Sequence, residues 1–201
     1  MIGLFLGDTD FSETILKKVK KLNKKYFIID LSNKNKFRNE GNSHRISIGK
    51  FGKIISLIKE KKSKKVLFAG KISKPKFSTI RLDLKGVYYM PSIIRAAKLG
   101  DAAIIKAIIK ILDDENIKVI SSVFFNPELT IKSGNYTKLK PNTTDSNSIK
   151  KGINYFNKLN YLDHVQALIV NNNRIVVTED RYGTKKMFSK LNKKSRGILI
   201  K

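Results

Sequence analysis

Short apolar runs alternate along this chain with longer stretches in which apolar residues recur every three to four positions. Ile2-Gly3-Leu4-Phe5-Leu6, Tyr26-Phe27-Ile28-Ile29-Asp30 and Lys65-Val66-Leu67-Phe68 read as strands whose continuous apolar character suits burial on both faces. A further short strand is expected at Arg45 to Ile48 and a fifth at Lys118 to Ser121. Between them the spacing predicts a helix to about Leu22, capped by Asp10 or Ser12. A second helix follows from about Lys50 to Lys61, with Ile54, Ile55, Leu57 and Ile58 on its buried face. Residues 76 to 99 read as irregular, with a helical turn after Pro91. Asp101 then N-caps a long helix carrying the stripe Ala103, Ile104, Ala107, Ile108, Ile111 and Leu112. Short strands alternating with helices predict an α/β fold, with a Rossmann-like parallel sheet in the first 125 residues or so.

The pattern changes at Asn126-Pro127-Glu128. Residues 132 to 148 are polar and carry Gly134, Pro141 and a Thr/Ser/Asn/Asp cluster, so they read as a linker. Beyond it we expect a helix from about Asp145 to Leu159. A hairpin of His164 to Val170 with Arg174 to Thr178 turns on Asn171-Asn172-Asn173, because asparagine tolerates left-handed backbone. A helix near Lys185 to Lys193 leads to a last strand at Gly197 to Lys201. These boundaries predict a Rossmann-like N-terminal domain over 1–131 and a smaller α/β domain over 132–201.

Charge and composition narrow the function. Lysines and arginines exceed acids by 26, and 35 of the 42 basic residues are lysine, spread along the whole chain. Dedicated readers of nucleic acid favour arginine with aromatics, whose planar fork fits phosphates and base edges. We therefore expect no specific nucleic-acid partner, only salt-sensitive affinity for polyanions, anionic lipid headgroups and phosphorylated ligands. Cysteine is absent, which excludes disulfides and thiolate metal sites. No apolar run reaches the ~20 residues that span a bilayer. The start lacks a basic n-region, so a cytoplasmic protein is expected, peripheral to a membrane at most.

Candidate chemistry lies at loops. Ala69-Gly70-Lys71-Ile72-Ser73-Lys74-Pro75 leaves a buried strand, where Gly70 allows close backbone approach and Lys71 and Lys74 offer cations to a phosphate. Gly7 and Asp8 follow the first strand in the same way, although two glycines fall short of a dinucleotide fingerprint. Asp101 beside Gly100 reads either as a cap or as an acid beside a helix N-terminus. Glu179 and Asp180, followed by Gly183 and Thr184, read either as a turn or as a metal or phosphate site. His44 and His164 have no metal-ligand spacing, and no Walker A, G-x-S-x-G or H-E-x-x-H pattern occurs.

Taken in order, several segments resemble the LpxI-type UDP-2,3-diacylglucosamine pyrophosphatases. They are Ile2-Gly3-Leu4 with Gly7, Ile48 to Ile55, Ala69 to Pro75, Leu99-Gly100-Asp101-Ala102-Ala103 and Pro127-Glu128-Leu129. In the second half they are Gln166 to Val170, Glu179, Gly183-Thr184, Met187 and Gly197 to Lys201. The resemblance implies a Rossmann-like N-terminal domain joined to a distinct C-terminal α/β domain. It implies Mg²⁺-assisted hydrolysis of a UDP-linked diacylated glucosamine to UMP and the acylated sugar 1-phosphate. That reaction is a step of lipid A synthesis at the inner membrane of Gram-negative bacteria. On this reading Gly7, Asp8, Gly70, Lys71, Lys74, Gly183 and Thr184 bind substrate, and Asp101 or Glu179 is the catalytic acid, serving the metal or the water. The metal ligands stay unassigned, and a homodimer is one arrangement open to the chain. Three features depart from the family. Its first loop is richer in glycine than Gly7-Asp8-Thr9-Asp10. Its Glu-Gly-Thr-Asp motif is here Tyr182-Gly183-Thr184-Lys185. The family also continues beyond the position of Lys201, so the second domain is expected to be incomplete. The alternative is a non-catalytic relative that binds nucleotide-sugars or phospholipid headgroups.

Overall fold

The structure, a computed structural model, describes residues 1–73, 79–159, 165–180, 182–192, 194 and 196–201. It divides into two compact units, Met1–Ile94 with Lys106–Lys132, and Arg95–Ile105 with Ser133–Lys201. Among the described residues no helix is long and apolar enough to cross a membrane.

The first unit is built on strands β1 (Ile2–Leu6), β2 (Tyr26–Asp30), β3 (Ser43–Arg45), β4 (Lys65–Ala69) and β5 (Lys118–Val119). They form one parallel sheet in the order β3-β2-β1-β4-β5. Side chains alternate across it. Leu4, Leu6, Ile28 and Leu67 pack with Ile15, Leu16 and Val19 of helix α1 (Asp10–Lys21) on one face. Phe5, Phe27, Ile29 and Val66 meet Ile54, Ile55 and Ile58 of α2 (Phe51–Glu60) on the other. Leu112, from α4 (Asp101–Asp114), joins that second face. Helices on both faces of a parallel sheet make this the doubly wound arrangement the apolar runs predict.

Several local expectations are corrected. Ser12 does not cap α1, because its hydroxyl donates to the Ala69 carbonyl at 2.9 Å. Asp10 does not cap it either: Thr9 holds the N-cap position without a side-chain bond, and Asp10 is the first helical residue. Strand β3 lies at Ser43–Arg45, two residues early, because pairing with Ile28, Ile29 and Asp30 sets its register. Ile46 packs instead as a partly buried neighbour of the α2 face. The segment expected to be irregular up to Pro91 is α3 (Leu84–Leu99), with Pro91 inside it. Proline there is outweighed by burial of Met90, Ile93 and Ala96 around it. Asp83, just ahead of α3, accepts from Gly86 N at 2.8 Å and from Lys53 N at 3.0 Å, so one carboxylate holds the first turns of both α3 and α2. Asp101 is the first residue of α4 rather than its cap. Gly100 precedes it at φ +117°. Of the predicted α4 stripe, Ile111 and Leu112 are buried and the rest are half-buried. Strand β5 stops at Val119, and Ser121 starts a 3-10 turn at Ser122–Phe124.

The second unit carries α5 (Thr143–Asn157), β6 (Leu168–Asn171), β7 (Arg174–Thr178), α6 (Gly183–Ser189) and β8 (Ile198–Ile200). The strands form an antiparallel sheet in the order β7-β6-β8. Asn172 and Asn173, at φ 45° and 59°, make the left-handed turn that the triple asparagine predicts. Asn142 and Asp145 close a reciprocal capping box at the start of α5, two residues before the expected start. Ala167, Ile169 and Met187 form the buried cluster under the sheet. His164 lies outside the described residues.

Candidate functional site

The strand order reverses between β1 and β4: β2 lies on one side of β1 and β4 on the other. In doubly wound sheets the carboxyl ends of strands flanking such a point receive the ligand. Gly7 and Asp8 leave β1 there, and Gly70 and Lys71 leave β4, so the structure brings these four predicted residues together. Gly7 N donates to Ala69 O at 2.9 Å and Asp8 N to Lys71 O at 2.8 Å. A Cβ on Gly7 would stand 2.2 Å from the Lys71 carbonyl oxygen. Gly70, at φ +87°, has room for no Cβ either, since the Ser12 hydroxyl would lie 2.1 Å away. Two glycines thus let two loop backbones lie against each other and carry Lys71, whose side chain is exposed, at the lip of the sheet. Lys74, the other predicted cation, lies outside the described residues.

A third loop joins this edge. Asn33, three residues beyond the end of β2, donates its backbone N–H to Asp8 Oδ1 at 2.9 Å and its side-chain amide to Ser73 Oγ at 2.8 Å. One exposed residue therefore ties the loops after β1, β2 and β4. The sequence carried no periodic or motif signal for Asn33. Its position just after a strand-ending acid was the available clue. Asp30 itself is fully buried and accepts from Ser32 N, Ser32 Oγ and Phe37 N at 2.8, 2.6 and 3.1 Å. Arg45 adds a longer contact at 3.5 Å. That carboxylate shapes the loop and is spent on it. In a dinucleotide site the acid at this strand end would face a ribose.

Lys36 stands nearby, paired with Glu13 at 2.6 Å and Asp10 at 3.8 Å. Its hydrogen bond to Glu13 holds it above the ordinary lysine value against partial desolvation, with the charges of Asp10 and Asp8 adding to the effect. Thr9 Oγ1, beside Gly70, is buried without a hydrogen-bond partner among the described residues.

In the second unit, Glu179 follows β7 and is 8% exposed. Its backbone N–H extends the hairpin by donating to Ala167 O at 2.8 Å. Thr184 Oγ1 donates to Glu179 Oε1 at 3.0 Å, so these two predicted residues do meet. Gly183, at φ +85°, makes the turn that brings them together. Glu179 Oε2 is buried and accepts no bond among the described residues. A carboxylate oriented by a threonine, with one oxygen unspent, can take a proton or a hard cation. Asp180 is committed elsewhere: it accepts from Tyr182 N at 2.9 Å and pairs with Lys190 at 2.7 Å. Asp101 stands in the first turn of α4, where the helix dipole favours an acid. Among the described residues no three His, Asp or Glu side chains gather as a metal-ligating group.

Residues 1–129 match the family model of the LpxI N-terminal domain, and residues 132–201 match that of the LpxI C-terminal domain. Over 146 residues the chain is 27% identical to the UDP-2,3-diacylglucosamine pyrophosphatase LpxI of Caulobacter vibrioides. That match takes in 73% of this chain and 52% of that protein. The chain spans about half the length of the curated relative it matches.

Proposed function

The chain belongs to the LpxI family, and from that premise we propose that it hydrolyses the pyrophosphate of UDP-2,3-diacylglucosamine, a step of lipid A biosynthesis. Water attacks one phosphorus, the P–O–P bridge breaks, and UMP and 2,3-diacylglucosamine 1-phosphate leave. The family match along both units carries this reading. The paired glycine loops at the sheet's switch point support it, because such edges receive phosphorylated ligands.

Each candidate residue has a role in keeping with its chemistry. Lys71 supplies a cation to the pyrophosphate, and Gly7 and Gly70 let the backbone approach it. Asp8, held by Asn33, flanks the same ligand, and Lys74, three residues after Lys71 in the sequence, is the second cation assigned to it. Thr184 fixes the rotamer of Glu179, which leaves Oε2 to accept a proton from the attacking water or to hold a cation. Asp101 is the second acid of the reaction. Mg²⁺ usually takes one or two protein carboxylates and completes its shell with water and phosphate oxygens, so the unspent Oε2 of Glu179 fits it as a ligand. The metal, when bound, supplies Lewis-acid polarisation of the phosphoryl oxygens.

The test is release of UMP from UDP-2,3-diacylglucosamine with Mg²⁺, followed by chromatography. UMP and the acylated sugar phosphate are expected in equal amounts. If calorimetry shows binding while no UMP appears, hydrolysis is overturned in favour of a binding role. If neither occurs, the substrate assignment falls.

A further inference from the structure

Helix α3 turns an apolar face outward. Leu84, Val87, Tyr88 and Ile94 are 91, 59, 77 and 39% exposed, and Pro91 between them is exposed as well. Positions 84, 87, 88, 91 and 94 lie three or four residues apart, so they form one stripe. The opposite face is the one that belongs in the core, with Met90, Ile93 and Ala96 buried. Arg95 and Lys98 continue the outward stripe through the last turns and are exposed. No acid occurs between Leu84 and Gly100. Soluble surfaces seldom gather so many large apolar side chains on one helix, and such a patch marks a partner.

We propose that this face of α3 rests on an anionic lipid bilayer, with the helix in the plane of the interface. Leu84, Val87, Pro91 and Ile94 enter the boundary between headgroups and acyl chains. Tyr88 sits with its ring in the apolar layer and its hydroxyl among the headgroups, and Arg95 and Lys98 meet lipid phosphates. Charge selects this occupant over a second copy of the chain. A two-fold contact through the stripe would press together two helices that carry Arg95 and Lys98 and no acid from Leu84 to Gly100, on two molecules of +26 net charge each. A negatively charged bilayer supplies what the stripe lacks. The proposal stands without the hydrolase reading, because it uses none of the residues assigned to that reaction.

The experiment is co-sedimentation of the whole chain with vesicles of phosphatidylcholine alone and with about one-third phosphatidylglycerol. We expect binding to the anionic vesicles only. Val87→Ser/Tyr88→Ser should lower partitioning about tenfold or more, since the loss of two methylene equivalents from the acyl layer already gives that factor. Arg95→Gln/Lys98→Gln should weaken binding more than Lys24→Gln/Lys25→Gln, a control that removes two exposed charges from the turn between α1 and β2. All these positions are exposed, so melting curves should not move by more than a degree or two. Three results overturn the proposal: no binding by the parent chain, equal losses for Val87→Ser/Tyr88→Ser and the Lys24/Lys25 control, or a dimer in light scattering that Val87→Ser/Tyr88→Ser converts to monomer while vesicle binding stays absent.

Discussion

Replacing Gly70 by alanine tests the packing at the sheet edge, and the structure sets its size. The residue sits at φ +87°, where an L side chain costs roughly 1–2 kcal/mol. The new Cβ would also stand 2.1 Å from Ser12 Oγ and 3.0 Å from Thr9 Oγ1. Ser12 is fully buried and its hydroxyl bonds the Ala69 carbonyl. Pushing it aside strains the packing or orphans that carbonyl, at roughly 1–3 kcal/mol. Gly70→Ala should therefore destabilise the first unit by about 3–4 kcal/mol. Ser12→Ala should cost about 1–2 kcal/mol by itself, through loss of the buried hydrogen bond. In the Ser12→Ala background the clashing oxygen is gone, so adding Gly70→Ala should cost only its backbone strain. The double variant should then be about 2 kcal/mol less destabilised than the sum of the singles. Urea unfolding of the four proteins, followed by circular dichroism, measures each term. If Gly70→Ala costs the same with or without the Ser12 hydroxyl, the overlap is not the source and the reasoning fails.

Lys71→Ala should weaken capture of the UDP-sugar about tenfold, the worth of one charge-assisted contact, and leave stability unchanged. Unaltered affinity in calorimetry removes that lysine from the site. Asn33→Ala should raise KM with little change in thermal stability, because Asn33 is exposed yet anchors Asp8 and Ser73. Equal KM values would deny it a positioning role. Asp83→Ala should cost about 2 kcal/mol in a denaturant titration, about 1 kcal/mol for each helix start it holds. Burial pushes the Asp83 carboxyl up, but the N–H groups of Gly86, Gly52 and Lys53 outweigh it and hold the group below its ordinary value. Hydrogen bonds from Lys59 and Lys85, against partial burial and with Tyr89 helping, hold Glu115 down at about 2. A depressed acid stabilises the fold fully above its unfolded value near 4.5 and loses that contribution as pH falls from there toward 2. Melting temperatures of Glu115→Gln should thus depend less on pH across that window than those of the parent chain, and parallel curves would contradict the assignment.

Much of the first unit was legible because periodicity reports burial. Ile2–Leu6, Tyr26–Asp30 and Lys65–Ala69 are apolar throughout since helices cover both faces of their sheet. The α2 face was readable from Ile54, Ile55 and Ile58. The error at α3 has a definite cause. Pro91 is a strong local breaker, whereas the buried contacts of Met90, Ile93 and Ala96 that override it come from elsewhere in the chain. The outward stripe on the same helix was hidden too, since a list of apolar residues does not say which ones find a partner.

Local chemistry in the chain was enough to predict a parallel α/β unit and an antiparallel hairpin on its asparagines, and motifs read in order carried the resemblance to the LpxI family. Each of these depends on neighbours a few residues apart, or on motifs read in order. Only tertiary folding decided that Ser12 serves Ala69 rather than its own helix, that Asn33 binds three loops together, and that Thr184 orients Glu179 and leaves one buried oxygen unspent. Those hydrogen bonds join distant positions, and a donor's choice between a local partner and a remote one is settled by which acceptor the fold leaves buried and unmet.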